Sequence, residues 1–239
     1  MPSDLSRRHF LGTAAGTAAV AMAGPVIAQK GAEPNKKVVV GVMGLSRGKA
    51  LALDFARQPG VVVKYVCDVD IERAGTAQKQ LESDTGQRPE AVVDYREVLD
   101  DPQVDALVCA APNHWHAPAT IAACAAGKHV YVEKPCSQNP WEGETMVAAA
   151  RKHDRAVQMG TQRRSSPAYQ EAIAKLHDGV IGKVYLARSW YNNLRTSIGT
   201  GKPAEAPENL NYELWQGPAP RVPYYDNRIH YNWHWFWHW

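Results

Sequence analysis

One stretch limits the fold more than any other: the apolar run Val38–Val42 opens directly into Gly44-Leu45-Ser46-Arg47-Gly48 and then into a helical pattern through Ala50 and Phe55. A strand, a glycine turn and a helix in that order form the first unit of a βαβ repeat. The repeat continues. Val61–Cys67 reads as a second strand, Asp70 to about Thr85 as a helix, and Tyr95–Leu99 as a short segment. Asp105–Ala111 reads as a third strand, followed by a helix from near Ala117, with Pro118 in its first turn, to Gly127. Val130–Val132 is the next strand. Asn139-Pro140-Trp141-Glu142 reads as an N-cap, a first-turn proline and a capping glutamate opening a helix through His153, and Ala156–Met159 closes the series. Apolar runs that do not alternate with polar residues are expected for parallel strands covered by helices on both faces.

The pattern changes after Met159, and a boundary is expected near Gly160–Arg164. A helix around Ala168–Leu176 and a strand over Val184–Tyr191 precede a Pro/Gly/Asn-rich stretch, Asn192–Arg228. A connection of that length suggests a functional loop or lid. The chain closes on Asn232-Trp233-His234-Trp235-Phe236-Trp237-His238-Trp239, a run too apolar to solvate a frayed end, so truncation within a second domain is expected. If extended, the tryptophans share one face; if helical, His234 and His238 stack at i, i+4. No third ligand stands near that pair, and no metal site is expected. Core packing or a carbohydrate-facing wall is the reading for the rings.

At the other end, Ser6-Arg7-Arg8-His9-Phe10-Leu11-Gly12 precedes an Ala/Gly/Thr/Val run and the small residues Ala23 and Ala28. Paired arginines before a short, small-residue apolar run are a twin-arginine export signal, with cleavage expected after Ala28. Residues 1–28 are therefore read as a leader and 29–36 as a linker. The expected location is periplasmic or extracytoplasmic, with the export machinery as a partner and no stable membrane insertion after cleavage. That route carries folded proteins, so a cofactor loaded before export and held tightly is expected. The 27 basic and 24 acidic residues form no basic stripe, and a nucleic-acid partner is not expected. Cys67, Cys109, Cys124 and Cys136 are widely spaced and read as core residues, with a disulfide as the alternative in an oxidising compartment.

The candidate site residues sit at the carboxyl ends of the expected strands, where open α/β sheets bind ligands. Gly44, Ser46, Arg47 and Gly48 would bring backbone amides and a helix N-terminus to a pyrophosphate, although Ser46 replaces a glycine and the last glycine comes one residue early. A plain tight turn is the competing reading. Asp68 ends the second strand where a carboxylate grips the ribose of NAD and repels the 2′-phosphate of NADP, which remains possible through Arg73 or Lys64; it could instead cap the next helix. Pro112, Asn113 and His116 follow the third strand, with Asn113 able to bond a ribose or amide and His116 to cap a helix or line the site. Glu133-Lys134-Pro135 ends the next strand. The proline holds Lys134 extended, Glu133 can pair with its ammonium, and a desolvated lysine can serve proton transfer.

The glycine turn, Cys67-Asp68-Val69-Asp70, Pro112–His116 and Glu133-Lys134-Pro135, in this order, resemble the glucose-fructose oxidoreductase, inositol dehydrogenase and MocA (Gfo/Idh/MocA) family. The resemblance implies an N-terminal Rossmann domain, 37–162, followed by the start of an α/β domain with an open, mainly antiparallel sheet, 163–239. It implies a nicotinamide cofactor, NAD or NADP, and a catalytic or substrate-orienting Lys134 beside it, with Glu133 and His116 in the catalytic group. Asn113 and His116 match its cofactor-side segment, and Gly160-Thr161-Gln162-Arg163-Arg164 its domain junction, placing Gln162 and Arg163 near the cofactor. The family's downstream aspartate and histidine would lie beyond Trp239, so the fragment itself is expected to be inactive and the full-length form a homo-oligomer. The implied function is hydride transfer between a sugar or polyol and a tightly bound nicotinamide. A glycoside hydrolase or epimerase that recycles its cofactor internally, and a catalytically silent sugar-binding relative, are the alternatives.

Overall fold

The computed structural model describes residues 37–239; the leader and linker expected over 1–36 lie outside the described residues. Six strands form one parallel sheet: β1 (Val38–Met43), β2 (Val61–Cys67), β3 (Glu90–Val92), β4 (Ala106–Cys109), β5 (His129–Glu133) and β6 (Val157–Gly160). Their spatial order is β3-β2-β1-β4-β5-β6, so the strand order reverses between β1 and β4. Helices α1 (Gly48–Ala56), α2 (Ile71–Thr85), α3 (Tyr95–Asp100), α4 (Asn113–Ala125) and α5 (Pro140–Lys152) connect them.

Both sheet faces are buried, which accounts for the unalternated apolar runs. Val40, Val42, Val63, Val66 and Val108 pack with Leu51 and Ala52 of α1 and Leu81 of α2. Met43, Cys67, Leu107, Cys109 and Val132 point the other way, onto Ala119 and Ala123 of α4 and Met146 of α5. The neighbours Leu107, Val108 and Cys109 thus alternate between two cores, as the two-residue strand period requires. All four cysteines are free. Burial pushes the Cys109 thiol up to about 12 and Cys67 well above its usual value, so both are small hydrophobes rather than nucleophiles.

The caps follow the sequence pattern. Asp70 accepts from the Glu72 and Arg73 amides at the start of α2, and Asn139 accepts from the Glu142 amide at the start of α5. Two boundaries differ from expectation. Helix α4 starts at Asn113, four residues before the expected Ala117, so Pro118 sits inside it. The extended Pro112 is its N-cap, and the proline's missing donor leaves only the His114 carbonyl without its i+4 partner. Strand β3, of three residues, is too short for any sequence period to reveal.

Beyond Gly160 the expected antiparallel sheet is not formed. A 3-10 turn (Gln162–Ser165), helix α6 (Pro167–His177), short helix α7 (Tyr212–Gln216) and a 3-10 turn (Tyr231–Trp235) are the regular elements there. Val184–Tyr191, expected as a strand, has no ladder partner among the described residues, and Tyr185 and Trp190 are 93% and 80% exposed. An apolar run without a neighbouring edge gains neither ladder bonds nor burial. The aromatic tail is neither a strand nor an α-helix. Trp215, Trp239 and Leu210 instead form a third core with Val69, Tyr212 and Phe236.

Candidate functional site

The carboxyl ends of β1, β2, β4 and β5 surround a cavity of about 340 Å³ at the reversal of strand order. Gly44–Arg47, Asp68, Pro112, Asn113, His116, Glu133, Lys134 and Gln162 all line it. These residues come from five separate stretches of sequence, and the parallel sheet gathers them because every strand ends on the same side.

The glycine turn is shaped by close backbone approach. Gly44 has φ +85°, its amide donates to the Cys67 carbonyl at 2.9 Å, and a Cβ there would lie 2.4 Å from the Ala111 nitrogen. Only glycine fits. At Gly48 a Cβ would stand 3.2 Å from Val42 Cγ1, so this glycine sets the close packing of α1 on the sheet. The N-terminus of α1 has no side-chain cap, which leaves its positive end available to an anion.

Asp68 is buried and fastens this turn to the next strand. Its Oδ2 accepts from the Leu45 amide at 2.7 Å and its Oδ1 from the Asp70 amide at 3.1 Å. Burial pushes its carboxyl above the usual range, while the two amides work against that shift. The competing reading made Asp68 the cap of α2, but Asp70 performs that task, and Asp68 lines the cavity.

Beyond β4, Pro112 and Asn113 turn the chain into α4 on the cavity wall. His116 is 2% exposed, with Nε2 2.7 Å from the Ala111 carbonyl and Nδ1 against the Pro135 carbonyl. Each ring nitrogen faces a backbone carbonyl, and the neutral ring, with one N–H, donates to one of them at a time between the end of β4 and the residue after Lys134. Burial holds it below the usual histidine value, against the pull of those carbonyls. His114 packs away from the cavity, donating from Nε2 to the Trp215 carbonyl at 2.8 Å.

Glu133 does not pair with the Lys134 ammonium, as the sequence suggested. Its carboxylate accepts from the Lys134 amide at 3.3 Å and from Gln162 Nε2 at 3.1 Å, and lies 3.5 Å from Arg47 Nε. The Lys134 side chain is exposed at the cavity and makes no ion pair among the described residues. Its ammonium is solvated in this chain. Arg163 is not brought to the cavity; it is exposed and bonds Tyr169 on α6 at 2.9 Å.

Sequence reasoning missed part of the wall. Tyr95 and Trp115 line the cavity, as do Trp215 from the stretch read as an irregular loop and His230 just after it. The one local signal was Asn211, which caps α7 by accepting from the Leu214 amide at 3.0 Å. Among the described residues no three His, Cys, Asp or Glu side chains converge as metal ligands.

Two observations test whether these residues suit a dinucleotide. Glu133 Oε1 is buried with no hydrogen bond and only the Arg47 guanidinium 3.5 Å away, so it has room to accept from a bound hydroxyl or amide. The Gly44 position admits no Cβ, while an uncapped helix start and a buried carboxylate face the same cavity. Positive amides for a pyrophosphate and acceptors for sugar hydroxyls form one donor set, and the site fits the group.

The chain is similar to proteins of known activity. The chain is 34% identical over 124 residues to an inositol 2-dehydrogenase/D-chiro-inositol 3-dehydrogenase of Lactiplantibacillus plantarum, covering 52% of this chain and 34% of that protein. A 3-ketoreductase from Actinomadura kijaniata in complex with NADP superposes with TM-score 0.56 at 27% identity, over 62% of this chain and 46% of that one. A levoglucosan dehydrogenase in complex with NADH gives 0.54 at 29%, over 62% and 41%. The chain spans less than half the length of each of these. The strand-turn-helix unit, the Asp68 strand end and the Glu133-Lys134-Pro135 loop all lie within the stretch, residues 36–161, that matches the model of the oxidoreductase family with an NAD-binding Rossmann fold, and the chain belongs to that family, Gfo/Idh/MocA.

Proposed function

We propose that the protein is a nicotinamide-dependent oxidoreductase acting on a hydroxyl of a sugar or polyol. One observation carries this reading: the glycine turn, the Asp68 carboxylate and Lys134 share a single cavity at the carboxyl ends of parallel strands. The inositol and levoglucosan dehydrogenases named above support the substrate class, and their relatives' use of NADP or NADH supports the cofactor.

When bound, a nicotinamide dinucleotide supplies a two-electron hydride acceptor. With the Gly44, Leu45 and Gly48 amides already donating within the fold, the Ser46 and Arg47 amides and the start of α1 would hold its pyrophosphate, and Asp68 would accept from the ribose hydroxyls. Glu133 Oε1 would accept from a donor of the bound group, with Gln162 and Arg47 fixing the carboxylate. Lys134 would donate from its ammonium to the substrate hydroxyl oxygen, orienting it and stabilising the negative charge left there as the hydroxyl proton passes to solvent water, to which the exposed Lys134 end of the cavity is open. His116 acts through the backbone, holding Pro135 against Ala111 so that Lys134 keeps its place. With Asp68 on the ribose side, NAD is favoured over NADP, because a carboxylate repels a 2′-phosphate.

Residues 37–162 act in this reading as the dinucleotide-binding domain and 163–239 as the start of a substrate domain. Arg7-Arg8 and the small-residue run behind them support export by the twin-arginine route to a periplasmic site of action.

The test is direct. The purified chain is denatured and its supernatant assayed for dinucleotide, NADH binding is titrated, and inositols and simple sugars are supplied with NAD while absorbance of the reduced nicotinamide is followed. Bound nucleotide and saturable NADH binding are expected of the chain, and substrate-dependent reduction of the full-length protein; a chain that neither contains nor binds NAD or NADP overturns the reading.

A further inference from the structure

We infer that the segment from Asn209 to His234 is the second wall of the dinucleotide crevice and retains the bound cofactor, an assignment that rests on the cofactor reading above. The segment is fastened to both strands that flank β1. At the end of β2, Asp70 and Leu210 form an antiparallel bridge, the Ile71 amide donates to the Asn209 carbonyl at 3.0 Å, and the Asn211 amide donates to the Val69 carbonyl at 2.8 Å. The Asp70 carboxylate adds two side-chain bonds there, accepting from Asn209 Nδ2 at 2.8 Å and contacting His230 Nε2 at 2.9 Å. Beyond the end of β4, Trp115 Nε1 donates to the Leu214 carbonyl at 3.1 Å and His114 Nε2 to that of Trp215.

A chain pinned on both sides of β1 spans the glycine turn between them. The span is packed rather than loose: Trp215 is 3% exposed and its ring centroid lies 4.4 Å from that of Trp239. On the inner side, Leu214, Trp215, His230, Tyr231 and Trp233 line the same cavity as Asp68 and Arg73, which mark its ribose end in that reading. Breaking the bonds on one side of the span therefore widens the way out for a ligand seated between the turn and Asp68. Those bonds join residues about 100 to 160 positions apart in sequence, so they form only in the folded chain and can open without unfolding the sheet.

The experiment measures release of NADH from the whole chain by fluorescence after a chase with excess NAD. The Asn209→Ala/His230→Ala double variant removes two bonds at the β2 side and leaves Asp70 to cap α2. Trp115→Phe removes one bond at the β4 side and keeps a ring. NADH is expected to leave at least about tenfold faster from the double variant and severalfold faster from Trp115→Phe. Release within twofold of the parent in both overturns the assignment while leaving the cofactor reading intact. A second measurement needs no variant: amide hydrogen exchange at Asn211 and Trp215 should slow when NADH is bound, and exchange unchanged by NADH also overturns it. A parent chain that binds no NADH ends the cofactor reading and the wall with it.

Discussion

The Oδ2 oxygen of Asp68 accepts the backbone amide of Leu45 at 2.7 Å, so the carboxylate at the end of β2 holds the glycine turn at the end of β1. The same side chain thus has two tasks: it shapes the turn that would meet a pyrophosphate and it offers acceptors to a ribose. Substitution should separate them only in part.

Asp68→Asn keeps one oxygen for the Leu45 amide and removes the negative charge. Affinity for NADH should fall several-fold, and the ratio of NADPH to NADH affinity should rise about tenfold, about 1.4 kcal/mol, because the repulsion of a 2′-phosphate is gone. Fluorescence titration with both nucleotides checks this, and an unchanged ratio would remove Asp68 from the ribose site.

Gly44 sets a stricter limit. An alanine there meets the Ala111 nitrogen at 2.4 Å and must adopt a φ of +85°. The left-handed backbone and the overpacking together should cost about 3 kcal/mol. Urea unfolding of Gly44→Ala should show that loss, and NADH binding should disappear even at low temperature where the variant remains folded. Ordinary binding by the variant would mean that the turn does not face the ligand.

Much of this arrangement was legible in the sequence because parallel strands buried on both faces announce themselves. Val38–Val42, Val61–Cys67 and Val130–Val132 are unalternated runs, and Asn139-Pro140 marks a helix start by local chemistry alone. The glycine turn, Asp68 and the Glu133-Lys134-Pro135 loop each sit at the end of such a run, so finding the strands found them. What stayed hidden depends on distant partners. Asn209 and His230 gain meaning only from Asp70, 139 and 160 residues away, and no period or motif foreshadows those bonds. Val184–Tyr191 shows the converse: strand propensity without an edge to pair with yields no strand. Glu133 looked like the partner of its neighbour Lys134, but adjacent strand residues point to opposite sides, and Arg47 and Gln162 reach it instead.

Lys134 is the residue whose removal should affect chemistry rather than binding. Its side chain is exposed at the cavity and joins no internal ion pair, so Lys134→Met should leave the melting temperature and the NADH dissociation constant nearly unchanged. In the full-length protein, polyol oxidation should fall at least about a hundredfold in kcat. His116→Asn, which leaves Lys134 in place but loosens the Pro135 carbonyl, should lower kcat less and destabilise the fold. A Lys134→Met enzyme with full kcat would assign the substrate-orienting role elsewhere.

The pH dependence of stability should be led by His114. Burial pushes its imidazole down to about 4, partly countered by the bond to the Trp215 carbonyl, and its Nδ1 is buried without a partner. The unfolded chain binds a proton on this residue near pH 6.5, whereas the folded chain binds one only near 4, so the unfolded state holds more protons between those values. The stability that the neutral ring provides is complete above pH 6.5 and is lost as pH falls toward 4. His114 alone should cost about 2 kcal/mol between pH 7 and pH 5, and His116 and His129, also held down mainly by burial, act in the same direction. Urea unfolding at the two pH values measures the difference. Replacing His114 with Gln, which keeps a donor for the Trp215 carbonyl but cannot titrate, should reduce the pH 7 to pH 5 loss by about that amount; an equal loss in parent and variant would show that His114 is not the group being protonated.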